Sequence, residues 1–341
     1  MKKTIPLILL ILLLVGGYFG WKFYKNNLQD NVKEEGVLLV PRTATLQQIM
    51  DSIRPYLKDA ESFQEFATKQ NLEKNFKAGR YEIKKGEGNK TLINKIRQGL
   101  QTDLPFRIKD FDDVYQMIGR VARKTEADSL TFVKDFNTIA RLKNLKSAED
   151  LKPYFFADTY NFYWTVTPED FFKKFENIYN DFWTEENINK EKNLGLDRIQ
   201  VYTLASIVLR ESGGKPDEQK RIAGLYLNRL HKGMKLQSDP TVIYAINKEN
   251  NFTKKIKRVY YKDLKTNSSY NTYMYSGLPP GPICVVDKTS VENVLNAEEN
   301  NFLYMVADPE KPGLHKFTDD PAIHEKNANI YRNWLNKNKI K

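Results

Sequence analysis

Glu211 stands where a carboxyl group could act as an acid. Val201, Leu204, Ala205 and Val208 recur at i, i+3, i+4 and i+7, the spacing of one buried helical face. Glu211 extends that series, three residues past Val208. Asp197 can cap the start of this helix. Gly213-Gly214 can end it, because glycine takes the left-handed conformation of a C-cap without strain. A carboxyl in the last turn of an apolar face meets two effects. Partial burial and the negative end of the helix dipole both disfavour its ionised form, and both raise its pKa. A general acid working near neutral pH needs that shift. The same residue could instead pair with Arg210, Arg221 or Arg229, or point to solvent from a frayed end.

A second helix is expected from Pro216-Asp217-Glu218 to about Gly233, with Ala223, Tyr226 and Leu230 on its inner face. Beyond it, Gln237-Ser238-Asp239-Pro240-Thr241 is a polar turn ahead of Val242-Ile243-Tyr244. It could offer donors and acceptors to a sugar, or be a plain Asp-Pro turn. His231, His315 and His324 lie far apart, and no His-x-x-x-His or cysteine cluster exists, which argues against a metal hydrolase. His315 and His324 read as structural or substrate-lining. The single cysteine, Cys284, sits in the apolar run Gly281-Pro282-Ile283-Cys284-Val285-Val286 and reads as a small core residue.

The elements that must position these groups follow from patterning. At 341 residues the chain can build two ordinary domains, and 40% hydrophobic with 28% charged residues is a globular composition. The net charge of +11 suits an anionic partner such as a cell-wall polymer, phospholipid headgroups or nucleic acid, or serves solubility alone. An α/β unit is expected from about Gly36 to Leu104. In it Val37–Val40 and Gly79–Ile83 are strands, Thr45 caps a helix carrying Leu46, Ile49, Ile53 and Leu57, and Ser62 caps another. A short helix over Thr91–Leu100 closes it. A strand over 104–108 and a helix marked by Val114, Ile118 and Val121 come next. Thr167-Pro168-Glu169-Asp170 is a helix start, and Phe171, Phe172, Phe175, Ile178, Tyr179 and Phe182 follow at helical spacing as core packing.

At the N-terminus, Met1-Lys2-Lys3 precedes an uncharged stretch from Thr4 to Trp21. Its length approaches the ~20 residues that cross a bilayer core. No A-x-A-like cleavage site is present, and Tyr18, Trp21 and Tyr24 suit an interfacial belt. The expectation is an uncleaved single-pass anchor over 1–25, N-terminus inside, followed by a polar linker over 26–35. An exported chain would rarely meet nucleic acid.

Longer motifs carry a resemblance. Leu204-Ala205-Ser206-Ile207-Val208 with Glu211, Asn228-Arg229-Leu230, Gly233-Met234 and Leu236-Gln237-Ser238-Asp239-Pro240-Thr241 resemble the endolytic murein transglycosylase family (MltG, or YceG-like). So do Tyr270-Asn271-Thr272-Tyr273, Gly277-Leu278-Pro279-Pro280-Gly281-Pro282-Ile283, Tyr304-Met305-Val306-Ala307, Gly313-Leu314-His315-Lys316-Phe317 and His324. The resemblance implies an α+β chain: a transmembrane helix, a LysM-like α/β subdomain over 36–104 and a mixed α/β catalytic domain over 105–341. It implies a lytic transglycosylase of bacterial peptidoglycan on the outer side of the cytoplasmic membrane, with no cofactor or metal and with cell-wall synthesis proteins as partners. The single catalytic carboxylate falls on Glu211. Many relatives carry another glutamate two residues earlier, where this chain has Leu209. The implied reaction cuts the MurNAc-GlcNAc bond within strands, gives 1,6-anhydro ends and terminates elongation of nascent strands. Asn228, Gln237, Ser238, Asp239, Tyr270, Asn271 and Tyr273 are candidates to hold the glycan, tyrosine rings suiting sugar faces and amides suiting acetamido groups. Two alternatives remain: a muramidase-type hydrolase with Asp239 activating water, and a non-catalytic glycan-binding scaffold.

Overall fold

The structure is a computed structural model that describes residues 4–27, 29–253, 256 and 258–338, the side chains of residues 4–9, 26 and 27 excepted. The chain divides into two compact units. One comprises Met1–Phe106, Ala122–Asp128 and Asn161–Thr167; the other comprises Arg107–Val121, Ser129–Tyr160 and Pro168–Lys341.

The first unit opens with α1 (Thr4–Asn27). Among the described residues no helix is long and apolar enough to cross a membrane, so the expected anchor is met as a helix only, with its first side chains outside those described. Lys22 and Lys25 of α1 pair with Glu65 at 3.0 Å and Asp59 at 2.6 Å. Strands β1 (Gly36–Val40) and β2 (Gly79–Ile83) pair antiparallel, Gly36 opposite Ile83 and Val40 opposite Gly79. Between them lie α2 (Leu46–Ile53), α3 (Ala60–Lys69) and α4 (Leu72–Asn75), and α5 (Asn89–Gln98) follows. The period-2 rule holds on the sheet: Leu38, Val40, Tyr81 and Ile83 are buried together with Ile49, Ile53, Phe63, Phe66, Leu92 and Ile96. Thr45 caps α2 as expected, through a reciprocal pair with Gln48. Ser62 is not a cap. Asp59 accepts from the Ser62 backbone N–H at 2.9 Å and starts α3 earlier, while the buried Ser62 hydroxyl accepts from Asn89 at 2.9 Å. Asparagine can give and receive at once, so Asn89 and Asn31 tie these segments together in the core. The helix expected over Thr91–Leu100 begins two residues earlier, at Asn89.

Strand β3 (Leu104–Ile108) pairs with β4 (Asp158–Phe162). Helices α6 (Val114–Ala122) and α7 (Ser129–Leu142) lie between them in sequence. Helix α8 (Pro168–Phe182) starts at its proline, and its aromatic stripe packs as core: Phe171 and Phe175 are fully buried, with Phe155 and Phe175 ring centres 5.0 Å apart. The remaining elements are α9 (Glu185–Leu194), α10 (Arg198–Glu211), α11 (Pro216–His231), α12 (Asp239–Glu249), α13 (Lys288–Leu295), β5 (Tyr304–Ala307), β6 (His315–Thr318) and α14 (Pro321–Lys337). Among the described residues the three sheets are small, each of them two-stranded.

Helix α10 is the axis of the second unit. Its spacing predicts one buried face, but Val201 to Leu209 are all buried, and α11, α12 and α13 pack around it. A helix enclosed on every side must satisfy its polar residues locally. Tyr202 donates to the Phe155 carbonyl at 2.5 Å and accepts from the Val286 N–H at 3.0 Å, and the Ser206 hydroxyl accepts from the Ile283 N–H. The segment 283–286 is thereby laid along the helix and covers Cys284, whose thiol burial pushes up to about 12. Gly224 of α11 meets another constraint. A Cβ there would stand 2.2 Å from the Glu298 carbonyl, so only glycine lets the segment 298–303 lie against the helix.

Candidate functional site

Helix α10 ends in three steps that fix Glu211. Asp197 caps its start with a reciprocal Gln200 pair. At its end Gly213 and Gly214 take φ of 58° and 78°, and the Gly214 N–H returns to the Leu209 carbonyl at 3.1 Å. The intervening Ser212 accepts from Gln219, which accepts from Asn293. The turn after Glu211 is thus tied to α11 and α13.

The Glu211 carboxyl is half-buried in an open pocket of about 200 Å³ that it shares with Gln237, Asp239, Tyr273, Arg229 and His315. Oε1 accepts two hydrogen bonds, from the Tyr226 hydroxyl at 2.9 Å and the Ser238 hydroxyl at 2.5 Å. Oε2 accepts none from the described residues. The three arginines that might have neutralised it are engaged elsewhere. Arg210 binds Asp110 and Asp112, Arg221 binds Glu298, and Arg229 donates to the carbonyls of Leu303 and Leu236 at 2.6 and 2.7 Å. Burial therefore dominates and raises the Glu211 pKa above the usual carboxylate value. The hydrogen bonds from Ser238 and Tyr226 oppose the rise, the Asp239 charge adds to it, and His315 opposes it.

Ser238 holds an unusual post. It is the residue at the N-cap of α12, yet its side chain makes no cap bond, because the hydroxyl is spent on Glu211. The loop that presents it is clamped from below. The Ser238 N–H donates to Thr272 Oγ1 at 3.0 Å, Thr241 and Thr272 hydroxyls meet at 2.8 Å, and the Gln237 N–H donates to the Thr272 carbonyl. Gln237 itself adopts φ of 52°, a left-handed conformation costly for a non-glycine residue. The turn expected at 237–241 is thus a loop that becomes a helix N-terminus aimed at the carboxyl.

Four of the seven glycan-holding candidates meet at this site. Gln237, Asp239 and Tyr273 line the pocket, the Tyr273 hydroxyl donates to Asp239 at 2.7 Å, and Ser238 binds Glu211. Three do not. The Asn228 amide donates to the Asn300 and Phe302 carbonyls and holds the segment that Gly224 admits. Asn271 is fully buried, donating to the carbonyls of Leu264 and Thr266. Tyr270 packs on Tyr244 at 4.7 Å with Lys248 over its ring. Each is a framework residue because its polar group already has partners in the protein.

Two groups escape the sequence reading. Tyr226 reads there only as an inner-face residue, though a tyrosine on a buried helical face must spend its hydroxyl on something, and that was a usable signal. The second is a pair. Glu218 at the start of α11 accepts from the His315 N–H and binds His315 Nδ1, both at 2.9 Å. The pair fixes the β5–β6 hairpin as a wall of the pocket, with Met305, Val306 and Ala307 beside it. No local pattern links two residues so distant in sequence. Arg229 supports the same wall. Its removal leaves buried carbonyls unpaired, so Arg229→Ala is expected to cost about 2–3 kcal/mol in thermal or urea unfolding, with lysine a poor substitute.

The sequence matches the model of the YceG-like family over residues 38–330. It is 31% identical over 348 residues to the endolytic murein transglycosylase of Bacillus subtilis (strain 168), covering 94% of this chain and 91% of that protein. It is 26% identical to the endolytic murein transglycosylase of Streptococcus pneumoniae (strain D39), covering 94% of this chain and 63% of that one. A crystal structure of a YceG-like protein from Listeria monocytogenes aligns with a TM-score of 0.56 at 24% identity, over 86% of this chain and 98% of that one. At that identity the likeness concerns the fold.

Proposed function

Since this chain belongs to the YceG-like family, we propose that it is an endolytic murein transglycosylase with Glu211 as its acid and base. The observation that carries this reading is the asymmetry of the Glu211 carboxyl. Two hydroxyls anchor Oε1, and Oε2 accepts no hydrogen bond from the described residues of a pocket that Glu211 lines. The proton then resides on Oε2, and a pKa raised by burial keeps it there. Oε2 gives that proton to the glycosidic oxygen leaving C1 of a muramic acid residue, and the C1–O bond breaks. The carboxylate so formed takes the proton of the same sugar's C6 hydroxyl, whose oxygen closes on C1. No water is consumed, one carboxyl serves both steps, and the new end is a 1,6-anhydro sugar. Cleavage within nascent strands would terminate their elongation.

Asp239 supports a second reading. It is a second carboxylate in the same pocket, positioned by Tyr273. A hydrolase needs such a pair, one group as acid and one to activate water or the anomeric carbon. Mass spectrometry of murein digested by the protein separates the two. Anhydro ends are expected; reducing ends on every product would replace the lyase by the hydrolase, and no cleavage would refute both.

The uncharged stretch from Thr4 to Trp21 supports placement as a single-pass anchor over 1–25, with the enzyme on the outer face of the cytoplasmic membrane. Strands β1 and β2 enclosing α2 to α4 support a LysM-like module over 36–104. Deleting residues 1–25 is expected to move the protein from the membrane pellet to the soluble fraction, and a truncated protein that still pellets with membranes would rule the anchor out.

A further inference from the structure

Two consecutive residues at the end of α10, and two at the start of α12, face different pockets. Glu211 and Asp239 line the pocket described above, whereas Arg210 and Pro240 line another of about 490 Å³. Chain neighbours lie about 3.8 Å apart, so the two cavities flank the same pair of helix ends. The larger one has an apolar floor of Phe111, Ile243, Tyr244 and Ile283. That floor is fixed, for the Phe111 carbonyl accepts from the Val285 N–H at 2.8 Å.

Its charges do not cancel. Asp110 and Asp112 are paired with Arg210 on one wall. Lys109 and Arg120, also in the lining, have no acidic partner among the described residues, and the Arg120 guanidinium lies 5.2 Å over the Phe111 ring. A neutral sugar has no use for the unpaired cations Lys109 and Arg120. A short peptide uses them for its carboxylates and the apolar floor for its methyl groups.

We propose that this pocket binds the stem peptide that a murein strand carries on its muramic acid residues, with Lys109 and Arg120 holding its carboxylates. The proposal rests on the murein reading of the neighbouring site. It makes the enzyme selective for strands that still bear peptides, and it sets the register of the strand against Glu211 from outside the reacting ring.

The test compares strands with intact peptides and strands stripped of them by an amidase, using the full-length protein and its Lys109→Ala/Arg120→Ala variant. Both side chains are exposed, so the variant should fold. For the wild type, kcat/KM is expected to be about tenfold higher on peptide-bearing strands, and the variant should lose that advantage through KM while cutting stripped strands as well as the wild type does. Equal wild-type rates on both substrates, or a variant defect of the same size on both, would overturn the subsite. Should the wild type cut neither strand, the catalytic reading fails by itself. Calorimetric titration with a soluble peptide-bearing disaccharide then decides the pocket: binding weakened in the variant upholds it, and unchanged binding sinks it.

Discussion

Glu211→Gln is expected to abolish strand cleavage and to leave the protein at least as stable as before. The amide can still accept from Tyr226 and Ser238 at the Oε1 position, so the local geometry survives. It can neither give a proton to the leaving oxygen nor take one from the attacking hydroxyl. Loss of both roles should lower turnover by roughly a thousandfold or more. The stability sign follows from linkage. A carboxyl whose pKa is raised in the folded state favours folding while protonated, and that contribution disappears as pH rises through its folded-state pKa. Above that pKa the ionised group therefore burdens the fold, and a neutral isostere relieves it and raises Tm. The gain should shrink as pH falls below that pKa, where the native group is itself protonated. Turnover assays with thermal scans across a pH series check this, and a glutamine variant that still cuts strands would remove Glu211 from the mechanism.

How much of this was legible from sequence depended on distance along the chain. Glu211 could be found because the features that place it are local: a cap, a helical period and a glycine stop within 18 residues of sequence, from Asp197 to Gly214. The all-round burial of α10 could not, because Tyr202 and Ser206 look polar until the segment 283–286 arrives to pair with them. Asn228, Tyr270 and Asn271 have the right chemistry for a sugar and the wrong surroundings. Their partners are backbone carbonyls, rings and a lysine of this protein, which no residue type announces. Ser238 has the chemistry of a glycan ligand, but its hydroxyl is spent on Glu211, where a helix N-cap ordinarily bonds its own backbone.

That departure gives the second large effect. Ser238→Ala and Tyr226→Phe each remove one donor from Oε1 and are expected to lower kcat by about 10- to 100-fold, because the free oxygen loses its fixed direction. The pH profile carries the sharper information. Both donors favour the ionised carboxyl, so removing either should raise the Glu211 pKa further. The first step needs the protonated form, so activity falls as pH rises through that pKa. The alkaline limb of kcat/KM should therefore move to higher pH, by about 0.5–1 unit for one hydrogen bond, even as the maximum drops. A merely structural loss would lower the plateau and leave the limb in place. The two changes share one acceptor atom, so their effects should not add: the double variant is expected to fall short of the product of the single losses. Full multiplicativity, or a limb that stays fixed in both single variants, would show that Ser238 and Tyr226 act on something other than this carboxyl.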